Sequence, residues 1–163
     1  MHTPGTVSHR TGHTEINTMI LRKATIDDAM DILTWRNDPL TRAASFNKEE
    51  IDPDSHMNWF RKKLEDGNCD LFILADGDEK LGHIRVDIDG NTGTISYMIN
   101  PVHRGKGYGR DIIKLLDGSV SKRVSVLSAF VEKNNIASMK CFEHNGYERS
   151  ENEDAINYTK QLP

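Results

Sequence analysis

Arg104-Gly105-Lys106-Gly107-Tyr108-Gly109 is the stretch on which the reading of this chain turns. Three glycines fall within five positions, between a strand-like run at 94–99 and an apolar-periodic run at 112–116. Glycine reaches positive φ and removes the side chain that would hold backbone amides away from a ligand. A strand, a glycine loop and a helix start, in that order, present several N–H groups at the positive end of a helix dipole. Such an arrangement receives phosphate oxygens. Lys106 adds positive charge, as do Arg104 and Arg110. The plain alternative is a glycine turn with no ligand. No Gly-Lys-Ser/Thr closes the loop, and no acidic residue follows where a dinucleotide fold places one.

Working outward, the chain before the loop reads as a three-strand meander. Strands are expected over 71–75, 81–88 and 94–99, joined by Asp76-Gly77-Asp78 and Asp89-Gly90-Asn91. On the middle strand Ile84, Val86 and Ile88 share one face, and His83, Arg85 and Asp87 share the other. That polar row is a solvated face, a hydrogen-bonded core network or the lining of a groove. Before the meander, Met19 to Lys23 reads as a first strand. Thr25 then caps a helix whose stripe is Ile26, Ala29, Met30, Ile32 and Leu33, ending near Pro39. Asp52-Pro53 opens a second helix that turns Met57, Phe60 and Leu64 inward and stops at Asp66-Gly67-Asn68. After the loop come a helix to about Gly118, a strand over 124–131, a helix over 136–145 and two short strands. The order β-α-α-β-β-β-α-β-α-β-β describes one α+β domain over residues 19–163, behind a tail, residues 1–18, expected to be disordered.

Composition removes several classes. A net charge of −4 with no basic face gives no attraction to nucleic acid. No apolar run approaches membrane-spanning length, and the tail lacks the apolar centre of a signal peptide. Cys69 and Cys141 lie far apart without metal-ligand spacing, which suits reduced thiols in a cytoplasmic protein. No metal site is expected.

A second segment gives the loop its meaning. Arg104 to Gly109 resembles the coenzyme A pyrophosphate loop, R/Q-x-x-G-x-G/A, of the GNAT superfamily of N-acetyltransferases. Asn135-Ile136-Ala137-Ser138, continuing to Phe142, Gly146 and Tyr147, is similar to that family's second signature, N-x-x-S/A, an aromatic, then G-F/Y. The resemblance covers nearly all of the chain from Met19. It implies a GNAT fold, with a mixed central sheet splayed between its fourth and fifth strands and helices on both faces. The strand before the loop is expected to carry a bulge. Acetyl-CoA is the implied co-substrate. Its pyrophosphate falls to the amides of Arg104, Gly105, Lys106, Gly107, Tyr108, Gly109 and Arg110. Its pantetheine arm falls to the backbone of Tyr97, Met98 and Ile99 and to Asn135 and Ser138. An amide near Met98 is placed to face the acetyl oxygen. Asn135 also reads as a helix cap.

The side chains that many family members use for proton transfer are missing from their usual places. Thr94 and Phe130 stand where glutamates are common, and Phe142 stands where a tyrosine often serves as acid. Proximity and water can then suffice, or His83, Asp87 or His56 is recruited. Around the acceptor, Trp35-Arg36-Asn37-Asp38-Pro39 and His56 with Trp59-Phe60 look similar to segments of enzymes that acetylate amino-sugar nucleotides in surface-polysaccharide synthesis. A sugar ring would stack on Trp35 or Trp59, and a diphosphate would meet Arg36 or Arg85. Protein N-terminal amines are the alternative acceptor. A non-catalytic acyl-CoA-binding domain is the alternative of a different class. Homodimers occur in the superfamily.

Overall fold

The protein is described by a computed structural model covering residues 18–163, so the expected tail, Thr18 apart, lies outside the described residues. Among the described residues seven strands form one sheet, in which the first five lie side by side in chain order and the seventh stands between the fifth and the sixth. β1 (Met19–Lys23) pairs antiparallel with β2 (Cys69–Asp76), which begins the meander with β3 (Glu79–Asp89) and β4 (Thr92–Ile99). The aspartate-glycine turns act as expected: Gly77 and Gly90 sit at φ 61° and 60°.

Between β1 and β2 lie three helices, one more than the sequence suggests. Thr25 caps a 3-10 turn, Ile26–Asp28, in a capping box: its hydroxyl accepts from the Asp27 amide, and Asp28 accepts from the Thr25 amide at 2.8 Å. α1 (Ala29–Arg36) follows and buries Ala29, Ile32, Leu33 and Trp35. Ile26 and Met30, expected on the inward stripe, are exposed, because the tighter opening turn rotates the inward face onto Ala29. Buried Asp28 meets Arg22 at 2.9 Å and Lys80 at 2.8 Å, which ties this corner to β1 and β3. Pro39 ends α1 and opens the unforeseen short helix α2 (Pro39–Ala43), with Asp38 accepting from the Leu40 and Thr41 amides. α3 (Pro53–Glu65) starts at Asp52 as expected. It buries Phe60 and His56, while Leu64, expected inward, is exposed.

β4 leads through a 3-10 turn, Pro101–His103, and the glycine loop into α4 (Tyr108–Val120). β5 (Val126–Val131) then runs parallel to β4, and α5 (Ile136–His144) precedes β6 (Glu148–Glu151) and β7 (Ile156–Gln161). Two apolar clusters cover the sheet. One joins Ile84, Val86 and Ile95 to Ile112, Leu116 and Phe142. The other joins Leu71 and Ile73 to Ala29, Ile32, Trp35 and Phe60.

The feature that positions the site is where pairing stops. β4 and β5 pair only from Thr92↔Val126 to Ile95↔Ala129. Beyond that point β4 continues on β3 to Ile99, and β5 continues on β7 to Val131. The two strands therefore diverge, leaving the backbone edge of Ser96, Tyr97, Met98 and Ile99 unpaired toward β5. The expected bulge is not on β4, whose register against β3 is unbroken from Gly82↔Ile99 to Asp89↔Thr92. The register shift lies instead between Leu74 and Ala75 on β2.

Candidate active site

The glycine loop takes the conformation its composition requires. Gly105 and Gly107 have φ of 77° and 85°, in the left-handed region that glycine enters without Cβ strain. Gly107 is the N-cap of α4, so the first amides of that helix open at the loop with no side-chain cap. Gly109 marks a close approach: a Cβ there would come 3.0 Å from the Cys141 Sγ and 3.5 Å from the Tyr97 ring. An open cleft lies against the loop, bordered by Gly105, Lys106, Gly107 and Arg110 and, across from them, by Lys140 and His144 of α5. Among the described residues no carboxylate lines it. Amides at a helix N-terminus and cations on two helices fit a pyrophosphate. Lys140 and His144 were missed from sequence, although their i, i+4 spacing on a helix whose cap was identified places them on one face.

Arg104 goes elsewhere. Its guanidinium binds the Asp38 carboxylate and donates to the Thr41 hydroxyl at 2.7 Å, so the first side chain of the loop faces α2.

On the other signature, Asn135 caps α5, its Oδ1 accepting from the Ser138 amide at 3.2 Å. The Ser138 hydroxyl accepts from the Tyr97 hydroxyl at 2.9 Å. Tyr97 packs edge-on against Phe142, and burial above all pushes its pKa well up. Tyr97, Met98, Asn135 and Ser138 line the gap end of a cavity of about 630 Å³. Phe130 and Phe142 line it as well; Thr94 does not.

The same cavity runs on to the second site foreseen from sequence. Its far end is bordered by Arg36, Phe46, His56, Trp59, His83 and Arg85. The polar row of β3 proves to be both a network and a lining. His83 is buried, and its Nδ1 donates to the Phe72 carbonyl at 2.9 Å. In the neutral ring that leaves the lone pair on Nε2. Burial, chiefly, holds the His83 pKa down at about 4. Arg85 lies 5.0 Å over the Trp59 ring and donates to the Ser96 hydroxyl at 3.2 Å. Asp87 is outside the lining; it bridges Lys63 and Arg85, each at 2.8 Å. Burial alone would raise its pKa, but those two cations outweigh burial and lower it.

Three acceptor-side residues stand differently from expectation. Trp35 is a core residue on the inner face of α1, away from the cavity. Asn37 is absent from the lining too: it clasps Ile51, donating to the carbonyl and accepting from the amide, both at 2.8 Å. His56 borders the cavity, but its Nε2 donates to the Ala29 carbonyl at 2.7 Å, and burial, against that bond, lowers its pKa. Arg36 uses one nitrogen on the Asn47 carbonyl at 2.6 Å, while its Nη1 is buried with no hydrogen-bond partner among the described residues. Burial, then the charge of Arg42, pushes the Arg36 pKa down. Such a cation lacks an anion. Among the described residues, the one carboxylate on the cavity wall, Glu132, is taken by Lys48 at 2.8 Å.

Two clefts thus lie at the diverging strand pair, one bordered by the glycine loop and cationic side chains and one lined by polar and aromatic groups. Residues 18–148 match the family model of the acetyltransferase (GNAT) domain. The chain belongs to the GNAT family. A curated relative, the uncharacterized N-acetyltransferase YfmK of Bacillus subtilis (strain 168), is 27% identical over 90 residues, covering 55% of this chain and 61% of that protein. Spermidine N-acetyltransferase from Vibrio cholerae, crystallised with CoA and spermine, superposes with a TM-score of 0.79 at 18% identity, over 89% of this chain and 96% of its own. A domain from Methanocaldococcus jannaschii DSM 2661 gives 0.77 at 24% identity, over 88% and 98%. At these identities the structural likeness establishes the GNAT fold. GNAT enzymes use acetyl-CoA as acetyl donor and no metal.

Proposed function

We propose that this chain transfers the acetyl group of acetyl-CoA to the primary amine of an amino-sugar nucleotide, by direct attack in a ternary complex. One observation carries the reading. A single cavity joins the strand gap to a chamber lined by Trp59, by Arg85 and by Arg36, whose Nη1 has no hydrogen-bond partner among the described residues, and the carboxylate of Glu132 there is paired with Lys48. Such a chamber suits a sugar ring beside a diphosphate. It suits a polyamine poorly, since a polycation needs open carboxylates.

The residues divide the work. The loop amides from Arg104 to Arg110, with Lys140 and His144, take the pyrophosphate, and the unpaired edge of β4 with Asn135 and Ser138 takes the pantetheine arm. The thioester supplies the acetyl group and a thiolate leaving group. The Met98 amide faces the acetyl oxygen, where an oriented donor acts on developing charge. His83, neutral at physiological pH, adds no positive charge against the amine and offers its Nε2 lone pair to an amine proton. With so low a pKa it orients the nucleophile, and water carries the proton onward. Trp59 and Arg85 hold the sugar end; Arg36, whose buried Nη1 has no partner among the described residues, turns that nitrogen to a phosphate oxygen.

The test is release of free CoA across a panel of amines. A 4-amino-4,6-dideoxy sugar nucleotide is expected to give the highest kcat/KM. Faster reaction with peptide N-termini, an aminoglycoside or spermidine would replace the acceptor assignment. CoA binding with no turnover on any amine would point to a non-catalytic acyl-CoA-binding domain.

A further inference from the structure

The cleft against the glycine loop has walls that belong to different helices. Lys106 and Arg110 approach from the loop and first turn of α4, Lys140 and His144 from α5. Like charges on facing walls repel, so the width of the cleft has to be held by groups behind its lining. Asn145, the C-cap of α5, stands outside both cavity linings. Its side-chain amide donates to the Cys141 carbonyl on its own helix at 2.8 Å and to the Arg110 carbonyl on α4 at 3.1 Å. Both partners only accept, so the NH2 end is the one that meets them. Arg110 and Cys141 border the cleft from opposite sides. One side chain thus joins the main chain of a residue in each wall. Behind it, Lys160 of β7 donates to the Asn145 carbonyl at 2.9 Å and to the Asp117 carboxylate of α4 at 2.7 Å.

We propose that Asn145 is a positioning residue for the anion cleft, holding its two cationic walls at the separation a diphosphate needs. The close approach of Gly109 to Cys141 sets how near the walls can come, and Asn145 sets how far they can part. The inference rests on the reading of the glycine loop as the pyrophosphate receptor. Charge-assisted hydrogen bonds reward a phosphate only where the donors converge within a narrow range of distance. A width fixed beforehand spares the ligand the work of drawing repelling walls together. The effect therefore falls on the diphosphate. The pantetheine arm, assigned to the β4 edge and to Asn135 and Ser138 at the start of α5, does not depend on that width.

Two ligands separate this role from a general structural one: coenzyme A, and pantetheine, which has the arm and no pyrophosphate. Calorimetric titration reads the first, and amide NMR shifts read the second, which binds weakly. Asn145→Leu keeps the size of the side chain and removes its donors, and the backbone there, φ −89° and ψ 9°, is open to any residue. The Kd for coenzyme A is expected to rise by about 10-fold, with that for pantetheine steady within about 2-fold. Lys160→Met removes the brace behind Asn145, with an expected rise of about 3-fold for coenzyme A alone; it decides the matter should the first variant not fold. Unchanged affinity for coenzyme A overturns the proposal, as does equal weakening of both ligands, which is what a loss of packing produces. Equal affinity of the unaltered chain for coenzyme A and pantetheine would remove the pyrophosphate reading itself, so the two failures are told apart.

Discussion

The two walls of the cavity are built by different means. The wall proposed for the cofactor is written in backbone: a helix start, glycines at positive φ and a strand edge left unpaired where β5 departs. The acceptor wall is written in side chains that arrive from α1, the 38–50 segment, α3 and β3, and its charged members are set by their neighbours. A backbone receptor tolerates change at most positions and fails at a few. A side-chain receptor fails more gradually, one contact at a time.

The comparison breaks most sharply at Gly107. A β-branched residue at φ 85° is strained by about 1–3 kcal/mol, and relief of that strain moves the amides proposed to face the pyrophosphate. Gly107→Val is expected to raise the KM for acetyl-CoA by about 100-fold, with less than about 3-fold change in the acceptor KM, read from initial rates with each substrate varied. An unchanged cofactor KM would remove the loop from the site. On the opposite wall, Arg36→Met removes the cation whose buried Nη1 has no partner among the described residues. The acceptor KM for a sugar nucleotide is expected to rise by about 10- to 30-fold, with the acetyl-CoA KM steady. Equal loss with an uncharged amino sugar would show that Arg36 serves the fold rather than a phosphate.

His83 gives a smaller effect with a pH signature. Its folded pKa, about 4, lies below the ordinary 6.5, so the unfolded chain gains a proton first as pH falls. The stability this neutral histidine contributes is present above about pH 6.5 and is lost progressively down to about pH 4, up to about 3 kcal/mol in all. Asp28 is also shifted down, because Arg22 and Lys80 outweigh its burial, but its loss falls below pH 3.8. Denaturant titrations of His83→Gln are therefore expected to show a flatter stability curve between pH 6.5 and 4 than the unaltered chain. Its kcat is expected to drop by about 10-fold. A slope that does not change would mean that His83 is not the buried neutral group.

Legibility from sequence followed the same division. The glycine loop, the Asn135 cap and the meander turns depend on residues adjacent in the chain, so local chemistry was enough. Trp35 and Trp59 could not be told apart in that way. Trp35 points into the core and Trp59 into the cavity because of how α1 and α3 sit on the sheet, and a 3-10 opening turn sets the phase of α1. Asn37 and Ile51 are 14 residues apart, and nothing in either residue announces their clasp. The polar row on β3 was visible as a row, but its division between lining and support required Lys63 from another element.

That division sets the smallest effect. Asp87 shared the polar row with His83 and was an equal candidate for a base, yet its oxygens are occupied by Lys63 and Arg85 and its pKa is lowered. A carboxylate so paired is a poor proton acceptor, and it lies outside the cavity lining. It accepts from the Arg85 guanidinium that lies over Trp59. Asp87→Asn keeps the shape and one acceptor oxygen while removing the charge. The acceptor KM is expected to rise by about 3-fold as Arg85 loosens, with kcat and its pH profile unchanged. A catalytic base would give the reverse pattern: kcat lower by about 100-fold or more, with the acidic limb of the profile gone. The same substitution thus separates a residue that holds the acceptor wall in place from one that takes part in the reaction.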